Sequence, residues 1–339
     1  MTDFWNDSPE LGARLDRVLA IVDETLASPG FPLAEAVSAI TRSNGKLLRP
    51  ALLVIGSRFG GRRGADDRRI DSLAAAIELL HVATLIHDDI IDEASLRRGA
   101  PTLHTRYGAK EAVLAGDWLF SRCFRLAAEA AGPDNSRALA RAIGAICAAE
   151  IEQDMGKWSY SASVRRYYRT IAGKTAALFS LALHTGAAEA KAPWRVAQAL
   201  RRAGYDIGMA FQVIDDILDY ESSEASMRKP VGRDLAEGLC TLPLVYALRA
   251  DEAGMRALLE RLAESQGSGA GRRPGRAAGA EEPVSAIVSR VAELGGLERA
   301  REAARRFTER AQAEIAGLPG IPARRELSSL ADKLLARKY

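Results

Sequence analysis

The chain has 339 residues, with 47 Lys and Arg against 44 Asp and Glu and a formal net charge of +3. Its 47% hydrophobic and 27% charged residues describe a soluble globular protein and exclude a mostly disordered one, and so small a basic excess argues against a nucleic-acid partner. No apolar run approaches the roughly 18 residues of a membrane span, the acidic start Met1-Thr2-Asp3-Phe4-Trp5 shows no secretory signal, and Cys123, Cys147 and Cys240 are too few and too far apart for a disulfide framework or a zinc cage, so a reducing, cytoplasmic setting is expected.

Alanine, leucine, arginine and glutamate, strong helix formers, dominate, and alternating strand-like runs hardly occur. Leu11, Leu15, Val18, Leu19 and Val22 form a first helical stripe. Gly45-Lys46-Leu47-Leu48-Arg49-Pro50 opens a helix, and a second stripe, Ile70, Leu73, Ala76, Ile77 and Leu80, runs on to an acidic cluster at Asp88. Breaking signals follow at Pro32, Pro50, Gly60-Gly61, Gly99–Pro101, Gly132-Pro133, Pro193, Pro230 and Pro243. The pattern predicts ten or more helices with short connections, an all-α helical bundle in one domain spanning 1–339. Residues 265–283 read SQGSGAGRRPGRAAGAEEP, too rich in Gly, Arg and Pro to bury a core, and predict a mobile loop.

The sharpest signal is a near-repeat. Residues 84–92 read Thr-Leu-Ile-His-Asp-Asp-Ile-Ile-Asp, and 211–219 read Phe-Gln-Val-Ile-Asp-Asp-Ile-Leu-Asp. On a helix, residues i and i+4 stand about 40° apart around the axis and about 6 Å along it. Asp88 and Asp92 therefore share a face, as do Asp215 and Asp219, with Asp89 and Asp216 alongside. One such cluster alone reads as a solvated helix end. Two copies among Leu85, Ile86, Ile90, Ile91, Val213, Ile214, Ile217 and Leu218 are another matter, because carboxylates crowded among aliphatic side chains stay ionised only with cations between them. All-oxygen donors suit Mg²⁺, which fills its shell with water and phosphate oxygens. Two clusters facing across a cavity would hold a polyphosphate.

Basic residues flank both clusters. Lys46 and Arg49, three apart and near a helix start, are misplaced for the helix dipole unless an anion sits there. Arg97-Arg98 follows the first cluster, Lys174-Thr175 lies between the two, and Arg228-Lys229 follows the second. Gly173-Lys174-Thr175 is no P-loop, since Tyr168 occupies the place of its first glycine and no strand precedes it.

From about Asn44 to Tyr246 the chain resembles the trans-isoprenyl diphosphate synthases, most of all the bacterial polyprenyl diphosphate synthases. The motifs are GKLLRP (45–50), ELLHVATLIHDDIIDEASLRRGAPT (78–102), GDWLF (116–120), YYRTIAGKTAALF (167–179), FQVIDDILDY (211–220) and KPVGRDLAEG (229–238). The resemblance implies the isoprenoid synthase fold, a helical bundle with a large central cavity, and a homodimer. It implies that Lys46, Arg49, His81 and Arg98 hold the diphosphate of isopentenyl diphosphate, while Arg97, Lys174, Thr175, Gln212 and Lys229 hold that of the allylic substrate. Asp88, Asp92, Asp215 and Asp219 would ligate three Mg²⁺ ions with Asp89 and Asp216 in support, and Asp88, Asp89, Asp92, Lys174, Asp215, Asp216 and Lys229 would form the catalytic set. Leu239 stands where such enzymes usually carry a lysine, so weaker allylic binding is expected. The small Ala83 and Thr84, with Leu80 one turn further back, leave the shaft below Asp88 open and imply a medium to long product, with Phe120, Phe124 and Ile143 as candidates for its floor. A geranylgeranyl diphosphate synthase is the alternative. A class I terpene cyclase fits less well, since Asp219 and Ser223 stand where its second motif carries Ser or Thr and Glu, and a non-catalytic partner subunit would have lost acidic clusters that are whole here.

Overall fold

The computed structural model describes residues 3–27, 31–43, 46–61, 67–97, 99–221, 232–265 and 281–335. Helix dominates these residues, as the composition predicts, and the strands are a two-residue hairpin, β1 (Leu96–Arg97) on β2 (Ala100–Pro101). The chain packs as two compact units. Of the expected loop at 265–283, Ser265 ends one helix and 281–283 begin another; residues 266–280 lie outside those described.

The first unit comprises Met1–Arg141, Leu178–Gly204 and Glu314–Ser328. It is built around α4 (Asp67–Ile91), buried on most of its circumference from Ile70 to Ile86. Length and composition alone would let α4 cross a membrane, but 72% of its apolar window is buried inside the protein, and Asp71, Glu78 and Asp88 interrupt it, so it is a core helix. Helix α1 (Pro9–Leu26) buries Leu11, Leu15, Val18 and Val22 of the predicted stripe and leaves Leu19 half-buried. Arg14 and Arg17 of α1 grip opposite oxygens of the buried Asp71, at 2.6 and 3.2 Å. At the other corner, buried Glu189 accepts hydrogen bonds from Gly132 N (2.7 Å) and Asn135 Nδ2 (2.6 Å) and pairs with Arg69.

Helix α3 (Leu48–Ser57) crosses α9 (Ala177–Glu189) almost backbone on backbone. A Cβ on Gly186 would lie 2.0 Å from the carbonyl oxygen of Leu53, and one on Gly56 would lie 2.4 Å from that of Leu183.

The second unit comprises Ala142–Ala177, Tyr205–Ala313 and Ser329–Tyr339. Its core gathers Tyr167 and Ile171, the inner face of α10 (Trp194–Glu221) from Met209 to Tyr220, Leu242–Leu248, Leu259, Ile287, Val291 and Phe307.

Proline reads differently in the structure than in the sequence. Pro50 and Pro243 sit inside the first turns of Leu48–Ser57 and Leu242–Ala250, where their missing N–H costs nothing, so they begin helices and do not interrupt them. Because the α3–α9 crossing has no room for a methyl group, Gly186→Ala is expected to cost about 1–3 kcal/mol of stability, read as a lower urea midpoint. An unchanged midpoint would show that the two helices separate freely.

Candidate active site

The first acidic cluster closes α4. Asp92 lies just past the helix, but its N–H bonds the carbonyl of Asp88 (2.8 Å), so the last turn persists and the four-residue spacing keeps its meaning. Both carboxylates are half-buried. Asp89 is buried and paired with Arg97 of β1 at 2.7 Å. Burial pushes its carboxyl up from the ordinary value, and the Arg97 guanidinium only partly opposes the shift. The aliphatic surroundings are wetter on one side than the sequence suggests, since Ile86 is buried but Ile91 is 44% exposed.

Lys46 does not share a helical face with Arg49. Leu47 between them adopts the left-handed conformation (φ 46°, ψ 43°) and α3 begins only at Leu48, so three-residue spacing carries no facing argument there. Lys46 extends over the ring of Phe4 and Arg49 over Phe179. His81 is half-buried two turns before Asp88. Arg98 and Lys229 lie outside the described residues.

Of the chain-length candidates, Leu80 and Ala83 have no exposed surface. Thr84 is half-buried and its hydroxyl bonds the carbonyl of His81 (2.8 Å). Phe120 is half-buried with its ring 5.5 Å from that of His87. Ile143 is half-buried, and Phe124, 46% exposed, faces outward.

The second cluster closes α10. Asp215 is half-buried, whereas Asp216 is 4% exposed and both its oxygens are engaged: Oδ1 by Gln212 Nε2 (2.9 Å) and Oδ2 by the hydroxyl of Tyr167 (2.5 Å). Burial pushes the Asp216 carboxyl up to about 7, with the charges of Asp215 and Asp219 adding to the shift and the two hydrogen bonds opposing it. Asp219 accepts the backbone N–H groups of Arg233 (3.1 Å) and Asp234 (3.0 Å), one on each oxygen. It therefore caps the short helix Arg233–Ala236, in addition to any ligand role. The half-buried Asp234 is pushed well above the ordinary carboxyl value, first by its desolvation and then by the charges of Asp219 and Asp216.

Lys174 and Thr175 stand in a π-helical turn, Ala172–Ala176, inserted between Val164–Ile171 and α9. Such turns are frequent at functional sites, because one extra residue re-aims the side chains. Lys174 Nζ meets Glu150 at 2.9 Å, and the Thr175 hydroxyl donates to Gln212 Oε1 at 2.7 Å. Sequence reasoning named Lys174, Thr175 and Gln212 but missed Glu150, Tyr167 and Asp234. Tyr167 and Asp234 fall inside quoted motifs; nothing in the spacing marks Glu150. Leu239 is half-buried and its N–H is fixed to the carbonyl of Asp234 (2.8 Å). Among the described residues no three Asp, Glu, His or Cys side chains converge on one point. The donor set suits a hard cation that takes one or two carboxylates and completes its shell with water and phosphate oxygens.

The chain can now be set beside known proteins. Residues 32–271 match the polyprenyl synthetase family model. A heptaprenyl diphosphate synthase component 2 from Geobacillus stearothermophilus is 35% identical over 328 residues, 95% of this chain and 96% of that protein. A geranylgeranyl pyrophosphate synthase from Lactobacillus brevis has the same fold with a TM-score of 0.88 at 32% identity, covering 99% of both chains. A polyprenyl synthase from Caulobacter crescentus, solved with calcium and isoprenyl diphosphate, gives 0.84 at 31% identity over 97% of this chain and 96% of that one. The architecture is the all-α isoprenoid synthase fold, used here by a prenyltransferase. The chain belongs to the polyprenyl synthetase family.

Because Asp219 caps the Arg233–Ala236 helix, Asp219→Ala is expected to lower folding stability by about 1–2 kcal/mol, measured by urea unfolding without metal. Stability equal to wild type would leave the carboxylate with a ligand role alone.

Proposed function

We propose that the enzyme condenses isopentenyl diphosphate with an allylic prenyl diphosphate to give a medium to long all-trans polyprenyl diphosphate. The observation that carries this reading is the pair of Asp-Asp-x-x-Asp clusters, each closing a helix, in a family with one member solved with calcium and isoprenyl diphosphate. Asp88, Asp92, Asp215 and Asp219 would hold Mg²⁺, three ions in all, with Asp89 and Asp216 in support. Burial raises Asp89, Asp216 and Asp219 above their ordinary values, a cost that a cation would relieve. Bound there, Mg²⁺ would stabilise the charge of the departing pyrophosphate.

The chain's own residues do the rest. Lys174, with Arg97, Thr175, Gln212 and Lys229, would orient the allylic diphosphate, and Lys46, Arg49, His81 and Arg98 that of isopentenyl diphosphate. Lys174 and Arg97 would release Glu150 and Asp89, their present partners, to meet the anion. Cationic groups set before ionisation stabilise charge as it develops on the leaving group. The carbon–oxygen bond of the allylic substrate breaks, the double bond of isopentenyl diphosphate attacks the cation, and a proton leaves to the released pyrophosphate. Water must be kept out because it would capture the cation. Buried Ile86, Val213, Ile214 and Ile217 beside the clusters serve that end.

Incubation with Mg²⁺, isopentenyl diphosphate and short allylic primers should give a product ladder ending at one length. Asp215→Ala should reduce turnover by at least about 100-fold, as expected where electrostatic stabilisation of the transition state is removed. Thr84→Phe should shorten the product, since among Leu80, Ala83 and Thr84 it is Thr84 that keeps exposed surface. A cyclic hydrocarbon product, or no condensation with any primer, would overturn the reading in favour of a cyclase or a partner subunit.

We further propose a cytoplasmic homodimer. Helix α7 (Pro133–Met155) presents Gly144, Cys147, Ala148, Ile151 and Met155 outward, the last two 60% and 81% exposed, a face suited to a second copy. The designation "component 2" of the Geobacillus relative favours a second reading, in which a different subunit takes that place. Sedimentation of the purified chain at twice its 36.4 kDa is expected; a monomer that gains activity only with another protein would establish the second reading.

A further inference from the structure

Tyr167 has no part in the scheme above, yet its hydroxyl makes the shortest hydrogen bond at the second cluster. Its ring is 7% exposed and lies in the core with Ile171, Val213 and Ile217. Packing there asks only for an aromatic ring, so phenylalanine would fill the same space. What requires the hydroxyl is Asp216 Oδ2, 2.5 Å away. Gln212 holds the other oxygen at 2.9 Å and is itself held by the Thr175 hydroxyl at 2.7 Å. The donors form a directed string: Thr175 to Gln212, Gln212 to Asp216, and Tyr167 to Asp216 from the far side. Every donor points toward the carboxyl group, so both Asp216 oxygens act as acceptors. The string starts in the π turn that carries Lys174 and ends on the helical turn that carries Asp215 and Asp219.

We propose that Tyr167 is a positioning residue for the second acidic cluster. By clamping Asp216 from the core side it fixes the rotamer of Gln212 and the last turn of α10, so that metal and diphosphate meet a site already set. Tyr167 touches neither substrate nor metal and acts through Asp216. The inference rests on the reading of the second cluster as the Mg²⁺–diphosphate site.

The test uses the full-length protein and Tyr167→Phe. The Mg²⁺ concentration for half-maximal elongation should rise about tenfold, the effect of losing one hydrogen bond to a charged group. Thermal stabilisation by Mg²⁺ with inorganic pyrophosphate should shrink in parallel, while the KM for isopentenyl diphosphate stays within twofold of wild type. A purely structural role would lower the ligand-free melting temperature and leave the Mg²⁺ half-saturation unchanged, and that result overturns the proposal. Tyr167→His keeps an N–H donor and covers the case in which the phenylalanine variant fails to fold. Its half-saturation should lie near wild type, and a tenfold shift there would count against a hydrogen-bonding role. A wild-type protein that neither elongates nor gains stability from Mg²⁺ and pyrophosphate removes the functional reading itself. A wild type that does both, beside an indistinguishable Tyr167→Phe, removes the positioning role alone.

Discussion

A carboxylate set among aliphatic side chains must be answered, and the way each one is answered separates scaffold from site in this protein. Asp71 is met by Arg14 and Arg17, Glu189 by Arg69, and Asp206 by Arg310. In each case a guanidinium cancels the charge permanently, and the pair ties one helix to another. At the second cluster the hydrogen-bond donors to the acids are neutral: a phenol and an amide for Asp216, and two backbone N–H groups for Asp219. Neutral donors orient a carboxylate without cancelling its charge. The residual cost appears as the upward shift of Asp216, Asp219 and Asp234. A cation drawn from solution would relieve that cost.

The first cluster is answered in both ways. Arg97 pairs with Asp89 and is also among the residues proposed above to meet the allylic diphosphate. A half-exposed arginine on a two-residue hairpin can change partners at small cost, because water solvates the guanidinium on the way. Lys174 stands in the same relation to Glu150. Cations parked on carboxylates hold their place until an anion of higher charge arrives, so the resting ion pairs and the expected diphosphate contacts are compatible.

Much of this was legible in the sequence because its causes are local. Apolar spacing gave α1 and α4, and the duplicated Asp-Asp-x-x-Asp located both clusters at helix ends. What escaped depends on tertiary contacts. The left-handed Leu47 separates Lys46 from the helix that spacing assigned to it. The π turn at Ala172–Ala176 leaves no mark in the pattern of apolar residues, since it inserts one residue into an otherwise regular helix. The burial of Ala83 follows from the helices packed on α4, so its small size reads equally as an open shaft or a close contact. Tyr167 lies in the core, and only its neighbour across 49 residues of chain gives the hydroxyl a purpose.

Close approach also explains motif residues that carry no chemistry. A Cβ on Gly116 would lie 2.1 Å from His87 Nε2, so this glycine of the GDWLF segment lets the helix pass beneath the residue that precedes Asp88. Gly238 has φ +76°, its carbonyl accepts the Trp158 N–H, and a Cβ there would meet the indole at 2.5 Å. The turn leading to Leu239 is therefore fixed by Trp158 on one side and by the Asp234 carbonyl on the other. Its path does not depend on which side chain residue 239 carries. A leucine in place of lysine thus removes a charge from this stretch without moving its backbone, and its effect should fall on anion affinity and not on the shape of the site.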